Sequence, residues 1–177
     1  MKRFLFSAAC LAAICHCAWG QTAVTDPLSK TAKGFYTIVI TNIVKSAEAM
    51  PEANYSFQPT PDVRTFGQLI GHVADAQYSF CGNVSGDKTK HPSLEKTVTA
   101  KADLVQGLKD SVTYCQAVYT AMTDAKGGSE MVKFIGRDMP KLSVLDINTA
   151  HADEHYGNIV TYLRIKGLVP PSSQNQN

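Results

Sequence analysis

One stretch decides the fold, residues Ser143 to Arg164, with the sequence SVLDINTAHADEHYGNIVTYLR. Its apolar residues recur at helical spacing, at Leu145, Ala152, Tyr156, Ile159 and Leu163. A polar seam beside this stripe contains His151 and His155. Because residues four apart lie one above the other on a helix, both imidazoles can point at a single metal ion. The stretch therefore predicts an amphipathic helix that carries part of a metal site.

Three earlier segments show the same helical spacing of apolar residues, and no strong strand alternation competes with it. We predict helices over residues 28–50, from Thr65 to about residue 82, and from about residue 100 to residue 122. Thr65 and Gln68 predict a capping box at the start of the second helix. The chain is therefore predicted to be all-α, a four-helix bundle.

The segments between these helices are long and irregular. Residues 51–64 form a turn-rich connector, residues 85–99 lack periodicity, and residues 130–142 predict an irregular or short extended segment. Ser143 is the predicted N-cap of the fourth helix. The long connection between the second and third helices allows the chain to return along the bundle before the third helix begins.

A third histidine, His72, lies at the edge of the apolar stripe of the second helix. Bundles build metal sites from side chains on facing helices, so His72 can meet His151 and His155. Three neutral histidines with one open position are the ligands of a catalytic type of metal site. We predict a divalent metal on these three residues, zinc, nickel or a similar ion, because imidazole suits several first-row metals.

Two alternatives compete with this interpretation. The run His151-x-x-Glu154-His155 also matches the inverted zinc-peptidase motif, in which the glutamate is the general base. That motif needs a further downstream ligand, normally a carboxylate, and no Asp or Glu follows His155. The other alternative is a non-enzymatic exported bundle that uses the histidine seam for packing or for binding a partner.

The first twenty residues resemble a secretory signal peptide. Lys2 and Arg3 precede an apolar run, and Ala18-Trp19-Gly20 offers a cleavage site before Gln21. We predict a signal peptide over residues 1–20, a bundle domain over 21–171 and a disordered tail over 172–177. The mature protein would then be periplasmic or secreted, with no stable membrane anchor.

The charge balance of the mature chain excludes some partners. The 17 basic residues lose Lys2 and Arg3 with the signal, which leaves 15 against 15 acidic residues. A neutral domain gives no reason to expect nucleic acid as a partner. We expect a small-molecule substrate that the sequence does not name, and the chain leaves room for a homodimer.

Two paired motifs resemble the DinB/YfiT-like family of small metal-binding four-helix bundles. They are FGQLIGHVADA at residues 66–76 and HADEHYGN at residues 151–158, followed by IVTYLR at 159–164 and GLVPP at 167–171. The resemblance covers about residues 28–171. It implies an up-down-down-up bundle with a long crossover between helices two and three, and it implies that His72, His151 and His155 bind a divalent metal.

The resemblance also bears on activity. The characterised activities of the family include metal-dependent transfer of low-molecular-weight thiols to electrophiles, and many members have no known activity. A metal-dependent hydrolase or thiol transferase of unknown substrate is therefore expected. Export would separate this chain from the thiol pool of the cytosol.

The crossover leads to a prediction about the two cysteines of the mature chain. Cys81 comes 16 residues after Thr65, and Cys115 comes 15 residues after Ala100. If the second and third helices run in the same direction, both cysteines lie roughly 23 Å along their axes. We predict a Cys81–Cys115 disulfide, with two buried free thiols as the alternative.

Overall fold

The computed structural model describes residues 25–174, so the predicted signal peptide and residues 175–177 lie outside the described part. The elements in chain order are α1 Pro27–Ala49, α2 Phe66–Ser85, α3 Leu94–Thr97, α4 Lys101–Ala121, α5 Asp124–Ser129, β1 Met131–Phe134, β2 Arg137–Pro140 and α6 Lys141–Ile165. Short 3-10 turns cover Glu52–Asn54 and Pro171–Ser173. Within residues 25–174, no helix is both long and apolar enough to span a membrane.

The four long helices α1, α2, α4 and α6 form a bundle around one core. Helix α2 packs against α4 and α6, and α1 packs against the same two helices from the other side. The largest side chains that are fully buried include Tyr36, Ile40, Ile43, Phe66, Ile70, Leu104, Leu108, Tyr119, Leu145, Ile159 and Leu163. The predicted all-α fold is confirmed, with a small β-hairpin added to it.

Helices α2 and α4 run side by side in the same direction. Near the start of both helices, a β-carbon built on Gly67 would lie 3.2 Å from the Leu104 side chain. Further along both, the predicted disulfide between Cys81 and Cys115 is present, with Cα atoms 5.3 Å apart. The complete up-down-down-up order stays a prediction.

The start of α2 agrees with the prediction from the sequence, whereas the start of α6 does not. Gln68 donates its amide N–H to Thr65 Oγ1 at 3.2 Å, and the Gln68 side chain accepts from the Thr65 N–H at 2.9 Å, so the capping box forms. The prediction of Ser143 as N-cap is wrong, because α6 already begins at Lys141. The backbone N–H of Lys141 donates to the Glu130 carbonyl at 3.0 Å. This hydrogen bond holds the first residue of α6 in place, before the predicted N-cap Ser143.

Residues 131–140 form an antiparallel hairpin where the sequence predicts an irregular or extended segment. Met131 pairs with Pro140 and Phe134 with Arg137. The two turn residues, Ile135 and Gly136, both have positive φ, 48° and 76°, as a tight hairpin turn of the primed type requires.

The hairpin packs beside the polar seam of α6. The Phe134 ring lies 5.1 Å from the Phe80 ring of α2, and the Phe80 ring lies 5.5 Å from the imidazole of His151. The hairpin therefore supports Phe80 against one of the predicted ligands.

The first residue of the predicted tail contacts the bundle. The Tyr156 hydroxyl donates to Ser172 Oγ at 2.8 Å and accepts from the Ser172 N–H at 3.0 Å. The end of the chain through Ser172 is thus attached to α6, and the domain boundaries themselves stay predictions.

Candidate metal centre

The structure brings the three predicted histidines together. His72 projects from α2, and His151 and His155 project from adjacent turns of α6. His151 Nε2 lies 3.3 Å from His72 Nε2 and 3.1 Å from His155 Nε2. His155 is buried, and the other two are half-buried. The Nε2 atoms of two neighbouring helices therefore converge on one point.

These separations fit a tetrahedral metal site. Zinc–nitrogen bonds of about 2.0–2.1 Å at tetrahedral angles place the ligand nitrogens about 3.3 Å from one another. The observed Nε2 separations of 3.1 and 3.3 Å come close to this value. All three ligand atoms lie within 4.8 Å of one another. The cluster can hold a divalent ion with only a small adjustment of the rings.

The surroundings keep two of the rings neutral. Burial, followed by the charges of the neighbouring His151 and His72, lowers the pKa of His155 to about 4. Burial, followed by the charge of His72, also lowers the pKa of His151. Metals bind neutral imidazole, so these shifts keep the nitrogens available at neutral pH.

The outward-facing nitrogens differ in their partners. His72 Nδ1 lies 2.9 Å from Glu95 Oε2, whereas the contact of His155 Nδ1 among residues 25–174 is a long one of 3.5 Å with the side-chain amide of Asn158. His151 Nδ1 is buried and has no hydrogen-bond partner among the described residues. His72 is thus the ligand candidate whose ring is held most firmly.

Sequence reasoning missed Glu95. It lies on the four-residue helix α3, inside a segment without periodicity, and its second oxygen accepts from Arg64 Nε at 2.8 Å. Burial acts to raise the pKa of Glu95, but hydrogen bonds from Arg64 and His72 outweigh it and lower the pKa. The only local signal was Ser93 before a short run of helix formers, which is weak.

Neither carboxylate of the HADEH motif takes part in the cluster. Asp153 and Glu154 are both exposed. The glutamate that a peptidase would need as general base is therefore turned to solvent, which argues against the inverted zinc-peptidase interpretation.

A groove reaches the cluster at His155. It has a volume of about 700 Å³ and is lined by Arg64, Gln68, Glu95, His155, Asn158 and Tyr162, among others. Polar and charged side chains surround the end that reaches His155. The groove has room for a small polar molecule beside the cluster.

Fold and site together define a class of protein, helical bundles in which histidines from two neighbouring helices meet at one groove. The chain belongs to the DinB superfamily, whose family model matches residues 36–159. The family prediction is thereby confirmed. A comparison with curated proteins finds no match.

Solved structures share the fold. A DinB-like protein from Bacillus cereus ATCC 10987 is 20% identical with a TM-score of 0.70, and the match covers 80% of this chain and 95% of that one. A DinB-like protein from Bacillus subtilis is 16% identical with a TM-score of 0.64, covering 82% and 99%. A mycothiol-dependent maleylpyruvate isomerase is 15% identical with a TM-score of 0.59, covering 75% of this chain and 59% of the isomerase.

Proposed function

We propose that the protein is a metal-dependent enzyme that acts on a small polar molecule, with a divalent ion held by His72, His151 and His155. The observation that carries the proposal is the convergence of the three histidines beside an open groove: His151 Nε2 lies 3.3 Å from His72 Nε2 and 3.1 Å from His155 Nε2, and the three ligand atoms lie within 4.8 Å of one another. A divalent ion on three imidazoles supplies a Lewis acid that lowers the pKa of a water or a thiol.

The residues of the chain have separate roles in this proposal. Phe80 packs on one side of the cluster, with its ring 5.5 Å from the imidazole of His151. On the groove side, His155 forms part of the wall together with Asn158 and Gln68, whose amides can bind polar groups of a substrate. A substrate would therefore enter from the groove and meet the cluster at His155.

The reaction proposed is nucleophilic attack by a thiol or a water on an electrophilic small molecule. The thiol branch is supported by the fold shared with a mycothiol-dependent isomerase. The signal-like sequence of residues 1–20 supports a location in the periplasm or outside the cell, where the thiol pool of the cytosol is absent. Hydrolysis with water is the branch that suits that location.

The test is a paired activity screen. Metal-loaded wild type and a His72→Ala variant are incubated with a panel of esters and phosphoesters, and separately with low-molecular-weight thiols and an electrophile. We expect metal-dependent turnover by wild type in one panel and its loss in the variant. Metal-loaded protein that turns over neither panel would favour the non-enzymatic bundle instead.

A further inference from the structure

Glu95 divides its two oxygens between two neighbours. Oε2 lies 2.9 Å from His72 Nδ1, and Oε1 accepts from Arg64 Nε at 2.8 Å. An ionised carboxylate can only accept hydrogen bonds, so the contact requires a proton on His72 Nδ1. Arg64 Nη2, which can only donate, lies farther from the same nitrogen, at 3.3 Å. The shorter, charge-assisted contact decides the tautomer in favour of Nδ1–H.

The short helix α3 is capped from α2. Asp75, one turn after His72, accepts from the N–H groups of Leu94 at 2.8 Å and of Glu95 at 3.2 Å. It also accepts from the Ser93 hydroxyl at 2.7 Å. A side-chain acceptor at this end satisfies amides that a helix leaves unpaired. The carboxylate of Asp75 therefore fixes the backbone of Glu95 relative to the helix that carries His72.

Two glycines let α3 lie directly on the bundle. A β-carbon at Gly71 would approach the Glu95 backbone nitrogen to 2.6 Å, and one at Gly107 would approach Leu94 Cδ1 to 2.7 Å. Real β-carbons do not come so close, so any larger residue at Gly71 has to move α3. The backbone of Arg64, the other partner of Glu95, is held as well, because the Tyr162 hydroxyl donates to the Arg64 carbonyl at 2.6 Å.

We propose that Glu95 is a positioning residue for the metal centre: it keeps the proton of His72 on Nδ1 and so turns the Nε2 lone pair toward the metal. The proposal rests on the metal binding proposed above and adds that the carboxylate of Glu95 orients one ligand, the imidazole of His72. The crossover between α2 and α4 then has a role beyond connection, because α3, capped by Asp75, carries Glu95 to its place.

The other two ligand candidates lack such a device among the described residues. His151 Nδ1 has no partner there, and the Asn158 amide is 3.5 Å from His155 Nδ1. Loss of Glu95 should therefore weaken metal binding without removing a ligand. Removal of a residue that hydrogen-bonds to a metal ligand typically lowers metal affinity by roughly 10–100-fold.

The experiment measures zinc affinity and the His72 tautomer in the same set of proteins. Zinc affinity is obtained by competition with a chromophoric chelator for wild type, Glu95→Ala, Glu95→Gln and Glu154→Ala. The last is the matched control for charge, because Glu154 is an exposed carboxylate whose charge acts on His151 but which has no hydrogen bond to the cluster among the described residues. The tautomer is obtained from ¹H–¹⁵N correlation spectra of the metal-free proteins, above the ordinary pKa of histidine.

We expect Glu95→Ala to bind zinc about 10–100-fold more weakly than wild type at unchanged stoichiometry. Glu95→Gln, which keeps an acceptor oxygen, should recover part of the loss, and Glu154→Ala should bind as wild type does. In the spectra, His72 should carry its proton on Nδ1 in wild type and move toward the Nε2–H form in Glu95→Ala.

Wild-type His72 in the Nε2–H form, or equal zinc affinities for wild type and Glu95→Ala, would overturn the inference. An equal loss in Glu154→Ala would also overturn it, since the effect would then be one of charge alone. Wild type that binds no zinc contradicts the proposed function, and the spectra of the metal-free protein still decide whether Glu95 holds the tautomer.

Discussion

Tyr36 and Tyr119 stack face to face in the core, with ring centroids 4.1 Å apart and planes 13° from parallel. Their hydroxyls have different surroundings. Tyr119 donates to the Leu145 carbonyl at 2.6 Å and contacts Thr149 Oγ1 at 2.9 Å. The Tyr36 hydroxyl is buried without a hydrogen-bond partner among the described residues. The two rings therefore form a matched pair for measuring the cost of an unpaired polar group.

We expect Tyr119→Phe to lower the free energy of unfolding by about 1–2 kcal/mol, because it removes a buried hydroxyl that donates to the Leu145 carbonyl and accepts from the Asn148 amide. Tyr36→Phe should be neutral or stabilising, because it removes a buried hydroxyl that has no partner. Urea unfolding of both variants checks the pair. A larger loss for Tyr36→Phe than for Tyr119→Phe would contradict this account of the core.

The disulfide between α2 and α4 leads to two expectations, one for the number of free thiols and one for the free energy of unfolding. A chain that begins at Gln21 retains only Cys81 and Cys115, and after denaturation without reductant it should show no free thiol. Replacement of both cysteines by alanine should cost about 2–4 kcal/mol, mainly because the unfolded chain is no longer constrained. Two free thiols per oxidised chain would contradict the bond.

Gly71→Ala tests the close contact between α2 and α3. Because a β-carbon there would lie 2.6 Å from the Glu95 nitrogen, α3 must shift, at a cost of about 1–3 kcal/mol. Gly34→Ala is the matched control in another long helix, where a β-carbon meets nothing within 4 Å. It should stabilise the protein by about 0.5–1 kcal/mol. Thermal unfolding compares the two, and a Gly71→Ala protein as stable as wild type would show that α3 does not lie where we describe it.

The lowered pKa of His155 predicts that the stability of the metal-free protein depends on pH. Its folded-state pKa is about 4, against an ordinary value of 6.5. Between these values the unfolded chain binds a proton that the folded protein excludes, so stability falls as the pH falls through this window. The loss is at most about 3 kcal/mol from this residue.

His155→Gln should therefore flatten the fall in stability between pH 6.5 and about 4. His91→Gln is the control, because His91 is exposed in the crossover. Urea unfolding at several pH values gives the comparison. An unchanged slope in His155→Gln would show that burial of this imidazole does not couple to folding.

The sequence alone was sufficient to predict the features that depend on residues close together in the chain. The 3.6-residue period located the four long helices, the Thr65–Gln68 pair located the start of α2, and the spacing of His151 and His155 located half of the site. These features depend on residues within a few positions of one another. The length of the crossover allowed parallel α2 and α4, the family resemblance implied that arrangement, and the disulfide of the structure agrees with it.

The rest depends on contacts between distant segments. Glu95 reaches His72 only because Asp75 caps α3 and Gly71 leaves room for it, and neither fact has a local pattern. Serine is a favoured N-cap residue, so Ser143 was a reasonable prediction. The hairpin ends at Pro140, however, and α6 begins at the next residue, Lys141. Tertiary contacts thus overrode a correct local preference.

Metal content of protein purified without an affinity tag tests the central claim most directly. Wild type, His72→Ala, His151→Ala, His155→Ala and the control His91→Ala are incubated with zinc or nickel, dialysed and analysed by mass spectrometry of the metal. The account predicts about one tightly held ion per chain in wild type and in His91→Ala, and its loss in each of the other three variants. Wild type that stays metal-free after incubation, or a His72→Ala protein that retains the ion, would contradict it.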